Sequence, residues 1–378
     1  MTVAGVTSTG SKRPASLFGS NADGVPLTME SAHGATVIAG GRPYLDFIMG
    51  LGAVALGYGD PDVTAAVHDA AARGVVGPLP PADEAALAQE IAAVMPQMSS
   101  VRFLKTGAEA MAAAVRLARV HTGRDQVLGC GYHGWLDWCS DASGVPVNTR
   151  AQYGTIPFND LATAVDQIHR HGTQLACVVI EPVIEAAPSV EWLNAVREAT
   201  HAAGALLIFD EVKTGFRIAL GGAVARWGVT PDLTVIGKAL ANGFPLAAVG
   251  GSPEIMAAVD HTWISSTAAT EFVALAAARA TIRVMVRSAV AEHLARVGQQ
   301  LYAGLERLAH DHRLAVRGIP EMCYLACDNE SRGAAIATAS AQRGLLFKRS
   351  AYNFVSLAHD ADAVDHALTT LAEVLRKC

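Results

Sequence analysis

Lys238 lies in TVIGKALANGFP, where an apolar run ends in a glycine-rich turn. Lysine is scarce in this chain, occurring at Lys12, Lys105, Lys213, Lys238, Lys348 and Lys377. A lysine that closes a buried strand must be paired, lose its proton or be used covalently. Desolvation favours the neutral amine, the form that attacks an aldehyde. A side chain snorkelling from a strand end explains the same placement. Asp210 follows four apolar residues in ALLIFDEVKTGFR. A carboxylate there is costly unless a cation meets it, and a protonated pyridine nitrogen is one such cation. A helix cap or a metal ligand are the other readings. Glu211 should point to the opposite face of the same strand.

Two further stretches complete the set. In LKTGAEAMAAAVRLAR a strand ends and Thr106-Gly107-Ala108 opens a helix. Free N–H groups and the helix dipole make such a turn a phosphate cradle, although many ordinary strand-to-helix turns look alike. In GCGYHGWLDW, Tyr132 and His133 sit between glycines after a strand. An aromatic ring there stacks on a flat cofactor or merely decorates a tight turn, and Trp135 and Trp138 read as packing residues. Taken together, an anion turn, an aromatic ring, a buried carboxylate and a strand-end lysine are the parts that pyridoxal 5'-phosphate requires.

The elements that must position these residues alternate along the chain. VRFLK, QVLGC, LACVVIEPV, ALLIFDEV, DLTVIGKAL and PLAAVGG read as strands. AEAMAAAVRLARVHTG, LATAVDQIHRHG and EWLNAVREATHAAG read as helices between them. Near-continuous apolar strands in this alternation predict an α/β fold with a mostly parallel sheet covered on both faces. Ligands then bind beyond the carboxyl ends of the strands. TVIAGGRPYLDFI predicts a hairpin about a Gly-Gly-Arg-Pro turn. From about Ala274 a long helical stretch runs to Asp311, followed by shorter strands and a terminal helix, a change of texture that predicts a second, smaller domain. The first twenty residues read as a mobile polar arm.

Composition removes several classes. The 378 residues carry 51% hydrophobic side chains and a net charge of −6. That balance offers no basic footprint for nucleic acid. No stretch is long and apolar enough for a membrane helix, and the N-terminus lacks the order of a secretory signal. The six cysteines are scattered, and Cys323 and Cys327 read as buried thiols rather than metal ligands. A cytoplasmic location is the expectation. No G-x-G-x-x-G follows the first strand, so a dinucleotide site has little support.

The stretch DEVKTGFRIALGGAVARWGVTPDLTVIGKALANGFPLAAVGG resembles the class III (subgroup II) aminotransferases, and within them the glutamate-1-semialdehyde 2,1-aminomutase branch. Its motif runs D-E-V-x-T-G-F-R through G-V-x-P-D-L and G-K to G-G, and similarity extends from YLDF to SLAH. The resemblance implies fold type I. That architecture is a large domain with a mostly parallel seven-stranded-type sheet, here 60–282, plus a smaller α+β domain from 1–59 and 283–378. It implies a homodimer and pyridoxal 5'-phosphate, with a small-molecule amine or carbonyl substrate. By position, Lys238 is the Schiff-base lysine and Asp210 pairs with the pyridine nitrogen. Val212 covers the ring face opposite Tyr132, and Thr106, Gly107 and Ala108 match the phosphate loop. His133 follows the stacking aromatic, and Glu181 matches the Glu-Pro pair near the ring. Thr267 aligns with the threonine that reaches the phosphate from the neighbouring subunit.

The departures fall on the substrate side. Ala108 stands where the phosphate loop normally has Ser or Thr. SNADGVPLTME lacks the arginine that binds substrate carboxylate in the aminomutase, and only WLDWCSDASGVP follows Tyr132-His133-Gly134 in place of a long mobile loop. The expectation is an aminotransferase acting on an amino or carbonyl small molecule, with secondary metabolism as its setting. An isomerase (aminomutase or epimerase), a decarboxylase or a lyase would use the same carbanion at Cα. A non-catalytic binding protein is the third reading, and retention of both Lys238 and Asp210 speaks against it. Arg349 and Tyr352 could touch substrate, and Arg217 reads as one half of a structural ion pair.

Overall fold

The structure is a computed structural model and describes residues 3–20 and 23–377. Two compact units emerge, one of residues 61–291 and one built from the chain up to residue 60 and from 292 onward.

The 61–291 unit holds a seven-stranded sheet. Its strands are β1 (Ser100–Leu104), β2 (Gln126–Cys130), β3 (Tyr153–Thr155), β4 (Leu175–Ile180), β5 (Leu206–Asp210), β6 (Leu233–Ile236) and β7 (Ala247–Gly251). Their order across the sheet is β1-β7-β6-β5-β4-β2-β3. Only β7 runs antiparallel to its neighbours. The other pairs are parallel. All six residues of β4 and all five of β5 are buried. Because strand side chains alternate, burial of every position means that both faces are covered. The edge strand β3 has no counterpart in the sequence reading, being three residues of mixed burial.

On one face Cys177 and Val179 of β4, Leu206 and Ile208 of β5, and Leu233 and Val235 of β6 share a core with Ala110, Met111, Ala114 and Leu117 of helix Gly107–Thr122. Alanine-rich spacing lets that helix lie close to the sheet. The helical stretch expected from Ala274 to Asp311 is two helices, Phe272–Arg287 and Val290–His312, broken at Ala289 with φ 44°. A domain break at 282 would cut through the first of these. Phe272–Arg287 packs its apolar face on helices Pro61–Ala72 and Ala82–Val94 of the large unit, so the division falls after residue 291.

The smaller unit is α+β, with two short sheets and helices Glu330–Gln342 and Ala361–Leu375. The expected hairpin pairs Thr36–Ala39 with Arg42–Asp46. Its turn is Gly40-Gly41 alone, with φ 56° and 67°, conformations that glycine adopts without strain, and Arg42 and Pro43 belong to the second strand. The expectation of a mobile polar arm is corrected at residues 14–18, which form a short helix. Phe18 is buried there against Val37, Ala39 and Tyr44. Arg349 donates to the carbonyl of Ser16 at 3.1 Å, a structural contact within this unit. Cys323 is buried and Cys327 half-buried, while Cys378 lies outside the described residues. Among the described residues no helix is long and apolar enough to cross a membrane, and no cluster of three His, Cys, Asp or Glu could hold a metal.

Candidate active site

Asp210 continues the alternation of Leu206 and Ile208, so its carboxylate faces the side of the sheet on which helix Gly107–Thr122 lies. It is buried, and its Oδ2 lies 2.8 Å from His133 Nδ1. An ionised carboxylate only accepts, so Nδ1–H is the donor. Asp210 Oδ1 accepts from the N–H of Val212 at 3.2 Å. His133 stacks on Trp138 with ring centroids 6.1 Å apart, and its buried Nε2 has no hydrogen-bond partner among the described residues. Trp138 is thus a packing residue, whereas Trp135 is exposed. Glu211 faces the other way, accepting from the N–H of Ala223 and the hydroxyl of Thr214. Burial pushes its carboxyl up to about 7.

Thr106 caps helix Gly107–Thr122. Its hydroxyl accepts from the N–H of Glu109 at 3.2 Å, and Glu109 accepts from the N–H of Thr106 at 2.9 Å. This reciprocal box satisfies two donors. The N–H groups of Gly107 and Ala108 have no protein acceptor among the described residues. They are the open donors of a helix start, where an anion is favoured. A Cβ at Gly107 would come 2.9 Å from Val212 Cγ1, and one at Gly134 would come 2.7 Å from Ala108 Cβ. The helix start therefore packs against both Val212 and the Tyr132-His133-Gly134 turn.

Glu181 follows β4 and joins two other elements. Its Oε1 meets Lys213 Nζ at 2.8 Å, with both side chains largely buried. Its Oε2 accepts from the N–H of Tyr132 at 2.9 Å. Gly131, at φ 118°, makes this possible, since a Cβ there would lie 2.6 Å from Glu181 Oε2. The Tyr132 ring itself is exposed.

Lys238 stands two residues past β6 in a left-handed conformation, φ 44°. Adjacent β5 and β6 pair Asp210 with Val235. Lys213 and Lys238 thus both lie three residues beyond the same rung. Lys238 is partly exposed as a whole, yet protein packed about its amine pulls its pKa down to about 8. Burial is the largest cause and the nearby Lys213 ammonium the next, with Glu181 and Asp210 acting in the opposite sense and Arg217 in the same. No hydrogen-bond acceptor holds its Nζ among the described residues.

Thr106, Gly107, Ala108, Tyr132, His133, Glu181, Asp210, Val212 and Lys238 thus converge at the carboxyl edge of β1, β2, β4, β5 and β6. Thr267 does not join them through any hydrogen bond among the described residues, lying exposed in the turn 267–270. Two relationships escaped the sequence reading. His133 was expected only as the neighbour of a stacking ring, and Lys213 was not singled out at all. The one available signal for Lys213 was a charged residue in a motif otherwise destined for the core.

The donor set fits a phosphorylated pyridine aldehyde. Open N–H groups at a helix start suit the phosphate, a buried carboxylate suits a ring cation, and a desolvated amine without an acceptor suits an aldehyde carbon.

Comparison with known proteins agrees. Residues 18–378 match the family model described as aminotransferase class-III. The glutamate-1-semialdehyde 2,1-aminomutase of Neisseria gonorrhoeae (strain NCCP11945) is 32% identical over 407 aligned positions, covering 97% of this chain and 95% of that protein. The FumI protein of Sphingopyxis sp. MTA144, solved in its PLP internal aldimine form, superposes with a TM-score of 0.88 at 28% identity, covering 93% of this chain and 89% of that one. An omega-transaminase from Sphaerobacter thermophilus gives a TM-score of 0.87 at 27% identity over 92% and 90% of the two chains.

Proposed function

The chain belongs to the class-III aminotransferase family and is a pyridoxal 5'-phosphate enzyme of fold type I; from that premise we propose that Lys238 anchors the cofactor and that the reaction moves an amino group between a small amine and a small carbonyl compound. When bound, pyridoxal phosphate supplies an aldehyde for the amine and an electron sink for negative charge at the substrate Cα. Lys238 would hold the cofactor's aldehyde carbon and, as the acid–base beside the substrate Cα, would take up and return its proton. Its depressed pKa suits an acid–base that works near neutral pH. Asp210, held in direction by its hydrogen bond with His133, would balance a protonated ring nitrogen. The open N–H groups of Gly107 and Ala108 would receive the phosphate, and Val212 and Tyr132 would hold the two faces of the ring. The observation that carries this reading is the single row of Asp210, Lys238 and the helix start beyond one sheet edge.

The large unit exposes Trp135, Trp263 and Leu79, each more than 70% accessible. Exposed apolar side chains of that size mark association surfaces. This supports a homodimer in which Thr267, four residues after Trp263, reaches the partner's phosphate site. Five described cysteines are free of disulfides, which supports a cytoplasmic setting.

A second reading, intramolecular amino transfer, draws support from the relatives named glutamate-1-semialdehyde 2,1-aminomutase. Purified protein is expected to be yellow, and Lys238→Ala to abolish the visible band without unfolding. A colourless wild-type protein in excess pyridoxal phosphate would overturn the assignment. In a single turnover with an amino donor, pyridoxamine phosphate and a keto product mark transamination. Return of the aldehyde form with an isomerised product marks the second reading.

A further inference from the structure

Lys213 and Glu181 form a buried ion pair beside Lys238. The pair is placed by the backbone. Register pairs Ile180 with Phe209 and Asp210 with Val235, so Glu181 lies beyond the end of β4 as Lys213 and Lys238 lie beyond β5 and β6. One oxygen of Glu181 holds Lys213 at 2.8 Å, and the other holds the Tyr132 N–H at 2.9 Å. A buried ion pair is not by itself a source of stability. What it does here is fix an ammonium, and the carboxylate that balances it, next to a second amine.

We propose that Lys213 is a positioning residue of the reaction, its ammonium held by Glu181 so as to keep the Lys238 amine in the neutral form that attacks the cofactor. The charged groups facing Lys238 are Lys213, Glu181, Asp210 and Arg217. Like charge disfavours a second ammonium, and the nearby carboxylates favour it. Removing Lys213 therefore acts twice, since it deletes the repelling cation and frees Glu181 as an unbalanced anion. Removing the charge of Glu181 acts the other way. A purely structural pair would give both variants the same defect.

The inference rests on the reading of Lys238 as the cofactor's lysine. That reading fails if Lys238→Ala keeps the visible band, a result independent of the charges at Lys213 and Glu181. The test is competitive labelling of Lys238 with acetic anhydride across pH in the cofactor-free full chain, read by peptide mass. Titration of the bound cofactor's visible band in the holoenzyme is the second measurement. Lys213→Met is expected to move both midpoints up by about one pH unit or more. Glu181→Gln is expected to move them down, and Lys213→Arg to stay near wild type. The double variant Lys213→Met with Glu181→Gln removes both charges with similar volume and is expected between the singles, which keeps the test open if either single folds poorly. Single variants that shift the same way, or a Lys213→Met midpoint equal to wild type, would overturn the proposal. So would a double variant shifted beyond either single.

Discussion

His133 and Asp210, 77 residues apart in sequence, form a buried hydrogen-bonded pair with Nδ1 2.8 Å from Oδ2. Two constraints hold the imidazole, the ring of Trp138 on its face and the carboxylate at its edge. The hydrogen bond fixes the carboxylate in direction, which is what a ring cation needs.

Asp210→Asn is accordingly expected to leave the fold intact and lower kcat by about 10²–10³, the range for loss of one preorganised electrostatic partner. Loss of the His133 donor, as in His133→Phe, is expected to cost less, about 1.5–3 kcal/mol in the activation barrier. Steady-state kinetics with circular dichroism as the fold control checks both. Equal and negligible effects would remove the pair from the mechanism.

Gly131→Ala should be far more damaging than its size suggests. The residue sits at φ 118°, and its added methyl would meet Glu181 Oε2 at 2.6 Å. We expect a loss of about 1–3 kcal/mol in urea unfolding, together with weaker retention of cofactor on dialysis, because the Tyr132 N–H loses its acceptor. Gly123→Ala is the comparison, since Gly123 has φ 67° and open space around it. It should cost about 1–2 kcal/mol of backbone strain alone, with cofactor retention unchanged.

The rate at which cofactor-free protein recaptures pyridoxal phosphate should rise with pH through a midpoint near 8 and level off about one unit above it. The neutral amine is the reactive form, and burial has lowered the pKa of Lys238 from 10.5 to about 8. The same shift gives stability its sign. Between about 8 and 10.5 the unfolded chain holds a proton that the folded chain has released, so cofactor-free protein gains stability as pH rises through that window. A recapture rate still climbing steeply at about pH 10 would show an ordinary lysine.

Thr267 offers a test of the proposed homodimer. Lys238→Ala and Thr267→Ala subunits are each expected to bind or turn over poorly on their own. Mixed dimers should recover about half of wild-type activity. In them the Thr267→Ala subunit keeps its own Lys238 and receives an intact Thr267 from its partner. No recovery on mixing would place Thr267 outside the site or deny the shared interface.

Much of the fold and of the site is legible in the chain itself. The strands ending at Leu104, Cys130, Ile180, Asp210 and Ile236 show as short apolar runs, because parallel strands buried on both faces need apolar residues at every position. Lys238 and Asp210 stand out because a charge at the end of such a run has to be accounted for. The helix start at Thr106 can be read from the change of period alone.

Other features depend on folding. Phe18 anchors a segment that reads as a polar arm, and Arg42 and Pro43 enter a strand although they follow a Gly-Gly turn. The domain division moves from 282 to beyond 291 because helix Phe272–Arg287 is claimed by helices nearly two hundred residues earlier.

The sequence by itself pointed to the family and the cofactor through a long motif that resembles the class III aminotransferases, and it singled out Lys238 and Asp210 as candidates because each is a charge at the end of an apolar run. Only the tertiary structure decided which groups face one another. His133 was brought to Asp210, Glu181 to Lys213 and the Tyr132 N–H, and both lysines to one rung of the sheet. Those relationships are set by strand order and register, so they join residues whose separation along the chain carries no trace of their contact.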